Sequence, residues 1–348
     1  MLVAYKARVE SFMKKIVWLA VVVLLLALGP LPSRAAGEGV IQGQVSNGTS
    51  GGGSTAGLEV VLRVFRGAEE QGLLSTFTDD QGQFRFEGLD TGSDWAYLAR
   101  VTYADVIYAS GLMPFPEGEG ELFVDMLVYE TTTDNFGIAV ERAHIFVTVS
   151  DTGLSVSELY VFNNPTDRTY IGKEADGLPM TAEFALPLES HSLDFDDGSM
   201  GGRFLAVEGG FADTEPQWPG STQVLFSYEV NCPAGKCDLS REIAHPISNL
   251  NVLINETGAA VSSEVLIFQG TQDAQGQSFL NYVGRGLTPG QRLDLQVRMP
   301  GVSAATPVPQ AVGTQSLPWI LLGTLVTVLI LVYPFWRRRI EAAARADK

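Results

Sequence analysis

Three histidines, two cysteines and one acidic loop are the residues of this 348-residue chain whose types could carry site chemistry. His144, His191 and His245 lie in unrelated contexts, without the His-x-His or His-x-x-x-His spacing that brings two imidazoles to one metal. Gly198-Ser199-Met200-Gly201 lacks the spacing of a nucleophile elbow. Carboxylates are plentiful, but a chain with 40 acidic residues supplies acidic pairs by chance, so closeness in sequence does not assign general acid and base roles. These absences predict a protein without enzymatic activity and without a cofactor. A glycan-active hydrolase assembled from scattered carboxylates is the alternative of a different class.

Asp194, Asp196 and Asp197, followed by Gly198, make an oxygen-rich loop of the kind that can hold Ca²⁺ outside cells. The loop has neither the 12-residue spacing nor the closing glutamate of an EF-hand, and the plainer reading is a solvated turn. Cys232 and Cys237 are the only cysteines and bracket Pro-Ala-Gly-Lys. In an oxidising compartment a pair this close around a Pro/Gly turn is expected to form a disulfide that pins a hairpin tip. A redox pair usually has two intervening residues rather than four.

The elements that must position these residues read as strands. Short runs of Val, Ile, Leu, Phe, Tyr and Thr alternate with polar residues and are broken by Gly, Asp-Gly, Asn-Gly and Pro. No long stretch keeps helical apolar spacing. The first part predicts strands at 40–45, 58–65, 73–78, 83–86, 95–103, 106–109 and 122–129, a number and spacing that suggest a two-sheet sandwich. Between the first two, Asn47 to Gly57 is rich in Gly, Ser and Thr, too polar to pack, and is expected to be mobile and exposed.

Gly39 to Val45, Gly57 to Leu62, Thr78 to Phe86 and Gly88 to Gly92 together resemble a carboxypeptidase regulatory-like domain. The resemblance covers residues 38–132. It implies a transthyretin-like or CnaB-like β-sandwich, an accessory module of secreted and surface proteins, and is nearly silent on function. In it Asp79, Asp80 and Gly82 turn the chain, and Phe84 and Phe86 point to one face. Some surface CnaB-like domains carry a Lys-Asn isopeptide crosslink. With no lysine between Lys15 and Lys173, such a bond inside this first domain is excluded.

From Glu141 to Pro300 the texture is again all-β, with strands expected at 144–149, 157–163, 181–186, 203–208, 223–229, 250–254, 265–269, 279–284 and 293–297. This predicts one Ig-like sandwich in two parts or two small sandwiches dividing near Cys237.

The two ends give compartment and orientation. Lys14 and Lys15 precede an apolar run from Ile16 to Leu28, then Pro30, Pro32 and Ser33-Arg34-Ala35, the pattern of a secretory signal peptide over residues 1–36. Leu317 to Trp336 is 20 almost unbroken apolar residues, long enough to cross a bilayer as a helix. Arg337, Arg338 and Arg339 follow it and hold the tail, 337–348, on the cytoplasmic side. Gly301 to Ser316 is Pro-spaced and uncharged and reads as a stalk. Residues 37–316 hold 13 basic and 37 acidic residues, a net of −24, which repels phosphate backbones and excludes nucleic acid as a partner of this region.

The sequence thus predicts an all-β ectodomain of tandem β-sandwiches, Ig-like or transthyretin-like, with one C-terminal transmembrane helix. Its segments are a signal peptide (1–36), a first sandwich (37–133), a second sandwich region (140–300), a stalk, the span (317–336) and a cytoplasmic tail. The expected protein is single-pass and sits in the cell envelope with its N-terminal region outside the cytoplasm. Its expected partners are the bilayer and a protein or glycan ligand, and its expected role is binding, spacing or assembly. An accessory subunit of a membrane complex is the nearest alternative.

Overall fold

A computed structural model describes residues 38–150, 153–175, 178–274 and 277–299. The signal-peptide, stalk, membrane-span and tail assignments, Arg337 to Arg339 included, lie outside the described residues. Among those described there is no α-helix, and no helix is long and apolar enough to cross a membrane. The chain divides into two compact units. One holds the first strand up to Ser46, with Ser54–Thr102 and Ile107–Leu127. The other holds Asn47–Gly53, Tyr103–Val106 and the chain from Val128 onward.

The first unit is built on β1 (Gly39–Asn47), β2 (Glu59–Arg66), β3 (Glu69–Phe77), β4 (Gln83–Leu89), β5 (Trp95–Tyr103), β6 (Val106–Ala109) and β7 (Glu121–Val128). They form a three-stranded sheet, β4-β1-β7, and a four-stranded sheet, β3-β2-β5-β6. Period-two alternation decides which face turns inward. In β4, Phe84 and Phe86 are buried while Gln83, Arg85 and Glu87 are exposed, and the two rings meet edge-on at 6.1 Å. The turn into β4 is closed by Asp79, whose carboxylate accepts from the Gln81 and Gln83 amides at 2.9 and 2.8 Å. Gly82 at φ +77° completes it, and a Cβ there would stand 2.4 Å from the Val45 carbonyl oxygen.

The second unit holds the remaining strands. They begin with β8 (Thr131–Thr132), β9 (Ala139–Val149), β10 (Gly153–Asn164), β11 (Thr169–Tyr170), β12 (Lys173–Ala175), β13 (Leu178–Met180), β14 (Ala182–Ala185), β15 (Ser190–Phe195), β16 (Phe204–Val207) and β17 (Gly210–Asp213). They continue with β18 (Gly220–Asn231), β19 (Lys236–Asp238), β20 (Arg241–Glu242), β21 (Ile247–Asn255), β22 (Ala260–Ser262), β23 (Ile267–Ala274), β24 (Gln277–Leu287), β25 (Arg292–Leu293) and β26 (Gln296–Arg298). The main sheet has seven strands in the order β15-β18-β10-β9-β21-β24-β23. Smaller sheets, β14-β17-β16, β19-β26-β22 and β20-β25, contribute to the same apolar core as the main sheet. Tyr160, Phe162, Phe184, Phe211 and Phe226 fill the middle of that core, with neighbouring ring centroids 4.8 to 6.5 Å apart.

Two expectations are corrected here. No division falls near Cys237, because β21 pairs in parallel with β9, matching Ile247 with Val140 through Ile254 with Val147. That pairing stitches sequence from both sides of the cysteines into one sheet. The Asn47–Gly57 loop is not uniformly loose either. The Asn47 side-chain amide donates to Gly53 O, Tyr103 Oη and Glu130 Oε1, and Glu130 Oε1 also accepts from the Gly53 amide at 2.8 Å. Thr49 Oγ1, on a buried residue, donates to Asp167 O at 2.6 Å. Polar residues that cannot pack by apolar burial are held here by hydrogen bonds instead.

Candidate functional site

A cleft of about 960 Å³ lies within the second unit. One wall is β14, an end strand that pairs only with β17 among the described residues. In that pairing Ala182 faces Asp213, Glu183 faces Ala212 and Phe184 faces Phe211. Antiparallel ladders alternate, so the Glu183 backbone points away from β17. Its outer groups meet one side chain: His245 Nε2 lies 3.0 Å from the Glu183 amide nitrogen and 3.1 Å from its carbonyl oxygen. Unprotonated, Nε2 accepts from the amide N–H. Burial lowers the His245 pKa and so favours that neutral ring. The ring is steadied edge-on by Phe162, 5.3 Å between centroids.

Around this contact the cleft is lined by the exposed acids Glu183, Glu208 and Glu242 and by Lys173. The Tyr170 phenol, also in the lining, has its pKa raised by burial and then by the nearby charges of Asp134 and Glu183. The cleft is thus a negatively polarised trough with a backbone edge along one side. His245 and Glu183 are 62 residues apart, a separation that no local motif announces.

The other residues singled out in the sequence are dispersed. His191 Nδ1 lies 3.0 Å from Glu229 O. His144 is buried on β9, and burial, then the charge of Arg142, lowers its pKa to about 4. Asp197 is 3.3 Å from the Arg203 guanidinium, which also holds Asp213 through two hydrogen bonds and meets Glu215 at 2.5 Å. Among the described residues no group of three or more His, Cys, Asp or Glu could hold a metal ion, so Asp194, Asp196 and Asp197 are not gathered into a Ca²⁺ ligand set. Cys232 and Cys237 are disulfide-bonded across the 3₁₀ turn Pro233–Gly235.

A buried ionic cluster lies in the second unit's core, and no sequence signal marks it. Arg241 donates to both carboxylate oxygens of Glu158 at 2.6 Å. Tyr160 and Tyr228 donate their hydroxyls to the same carboxylate. All four residues are buried. Burial disfavours the Arg241 charge, yet Glu158 holds its pKa well above the ordinary value. Burial, then the Glu158 charge, raises both tyrosine pKa values.

No family model matches this chain, and no curated protein matches it. Two similar solved structures are an M1 zinc metallopeptidase mutant from Deinococcus radiodurans bound to a Tyr-Ser-Ala substrate and the major pilin SpaA of Corynebacterium diphtheriae. The first is 14% identical over 50% of this chain and 51% of its own, with a TM-score of 0.30. The second is 10% identical over 75% of this chain and 59% of its own, with a TM-score of 0.20. This chain spans about half the length of the metallopeptidase. At these scores neither likeness assigns a fold or an activity. The expectation of a protein without enzymatic activity does not stand and is withdrawn. That expectation rested on motif spacing, which is blind to groups brought together from distant strands, as His245 and Glu183 are.

Proposed function

We propose that this protein is held at the membrane by Leu317 to Trp336 and works outside the cytoplasm as a binding or assembly module, with the cleft beside β14 as its binding site. On this reading residues 1–36 are removed as a signal peptide and 37–133 form a transthyretin-like sandwich of the carboxypeptidase regulatory-like kind. Residues 140–300 form an Ig-like sandwich on the Pro-spaced stalk. The observation that carries the binding role is the cleft itself. Its volume falls within the roughly 300–1,000 Å³ usual for ligand sites, and its lining mixes apolar residues such as Ile138 and Phe184 with a few charged groups and the β14 backbone. Sequence supports the compartment: a basic, apolar, small-residue leader and an arginine-flanked span.

The test is a ligand screen on the full chain in zwitterionic nanodiscs, using glycan and peptide arrays, with wild type beside Glu208→Arg/Glu242→Arg. Binding that the cleft variant abolishes supports the reading. Wild-type binding that the variant leaves unchanged places the site elsewhere and contradicts it, as does a screen with no binder.

A further inference from the structure

Building on the reading of this cleft as the binding site, we propose that it takes an extended, basic polypeptide segment by strand addition to the outer edge of β14, displacing the His245 ring. A strand at the end of a sheet presents unpaired backbone donors and acceptors that template another strand. β14 is such a strand, and its residues Ala182 to Ala185 line the cleft. At Glu183 the outward amide and carbonyl are both met by one imidazole nitrogen, at 3.0 and 3.1 Å, the place an incoming backbone would occupy. One ring covers a single residue, whereas an added strand of four residues runs about 13 Å along the edge.

The side chains choose the ligand's charge. Glu183, Glu208 and Glu242 line the cleft together with Lys173, an excess of two negative charges with His245 neutral. In strand addition the backbone supplies affinity and alternate side chains supply specificity. The segment this geometry suits is one whose lysines or arginines recur at every second position, so that they project together toward the glutamates. An acidic or all-apolar strand would leave those carboxylates facing like charge or without a partner. His245 then acts as a removable cover of the edge, and the free protein spends part of the ligand's binding energy on displacing it.

The experiment is fluorescence anisotropy on the full chain in zwitterionic nanodiscs, with a labelled decapeptide of alternating lysine and valine. Three companions accompany it: the glutamate–valine counterpart, the lysine–valine peptide N-methylated at alternate amides, and the same peptide offered to His245→Ala and Glu183→Gln/Glu208→Gln/Glu242→Gln. Expected are saturable binding of the lysine–valine peptide and binding at least tenfold weaker for the acidic and N-methylated peptides. The triple variant should lose at least tenfold, and His245→Ala should bind severalfold more tightly. The wild-type comparison of methylated and unmethylated peptides needs no variant to fold. Equal binding of those two overturns strand addition, while sensitivity of either to the triple variant would leave the cleft as the site. No binding of the lysine–valine peptide overturns the proposal outright. Binding that ignores the triple variant overturns both this proposal and the assignment of the cleft.

Discussion

Glu158 and Arg241 form a buried ion pair whose value to the fold depends on every partner being present. Two tyrosine hydroxyls and the Arg241 Nη2, which donates to both oxygens, satisfy the carboxylate. Removing one charge leaves the other desolvated and unpaired, and losses of about 3–5 kcal/mol are typical of such breakages. Arg241→Met should therefore lower the unfolding free energy in urea by about that amount, whereas the double variant Glu158→Leu/Arg241→Met should recover most of it. A double variant no better than Arg241→Met would show that the cluster acts through packing alone.

The histidines give the second residue-scale prediction, a dependence on pH. The His144 pKa falls from 6.5 to about 4 on folding, chiefly through burial, and the His245 pKa is lowered for the same reason. Between those values the unfolded chain binds more protons than the folded one, so stability rises with pH. The contribution is complete above about pH 6.5 and is lost as pH falls toward 4, by about 1.4 kcal/mol per pH unit for His144 and about 3 kcal/mol in all. Urea denaturation at pH 7, 6, 5 and 4.5 should show this slope, and His144→Leu should flatten it.

At the scale of elements, the disulfide and the Asn47–Gly53 segment are the two local devices that can be tested alone. The Cys232–Cys237 bridge spans five positions, so the chain-entropy estimate is only about 2 kcal/mol. Cys232→Ser/Cys237→Ser should fold and lose no more than that, read by thermal or chemical unfolding. In Asn47–Gly53, the Gly53 amide donates to Glu130 and should exchange with solvent slowly in hydrogen-exchange measurements. Glu130→Ala should release it.

These elements also show what sequence makes legible. In the first unit, β5 and β6 appear in the sequence with the bounds the structure gives them, and β4 begins where Asp79 and Gly82 announce a turn. β4, β5 and β6 each bury alternate residues on one face, and period-two alternation reports that directly. β10 is buried on both faces over much of its length, so alternation fails and its start is misplaced by four residues. β20, with two residues, is too short to carry a period, and β17 buries Phe211, Ala212 and Asp213 in succession, so it shows no alternation. The Asn47–Gly53 segment reads as loose because its partners, Tyr103, Glu130 and Asp167, are supplied by distant sequence. The cleft was illegible for the same reason, since β14 and His245 are joined only by the fold.

At the scale of the whole molecule, the proposed topology would hang residues 37–316, net −24, outside the cell from the apolar segment Leu317 to Trp336, which three arginines follow. A field of that sign steers cationic partners toward the surface, and its influence on association should weaken as salt rises. The proposals about the cleft require that the cleft face the outside of the cell. Glu208 is exposed on the cleft rim, and Ala343 belongs to the tail segment. The most direct measurement is therefore labelling of intact cells with a membrane-impermeant maleimide, using Glu208→Cys and Ala343→Cys in the Cys232→Ser/Cys237→Ser background. With the cleft outside and the tail inside, Glu208→Cys labels at once while Ala343→Cys labels only after permeabilisation. The reverse pattern, or protection of Glu208→Cys until cells are opened, would contradict it.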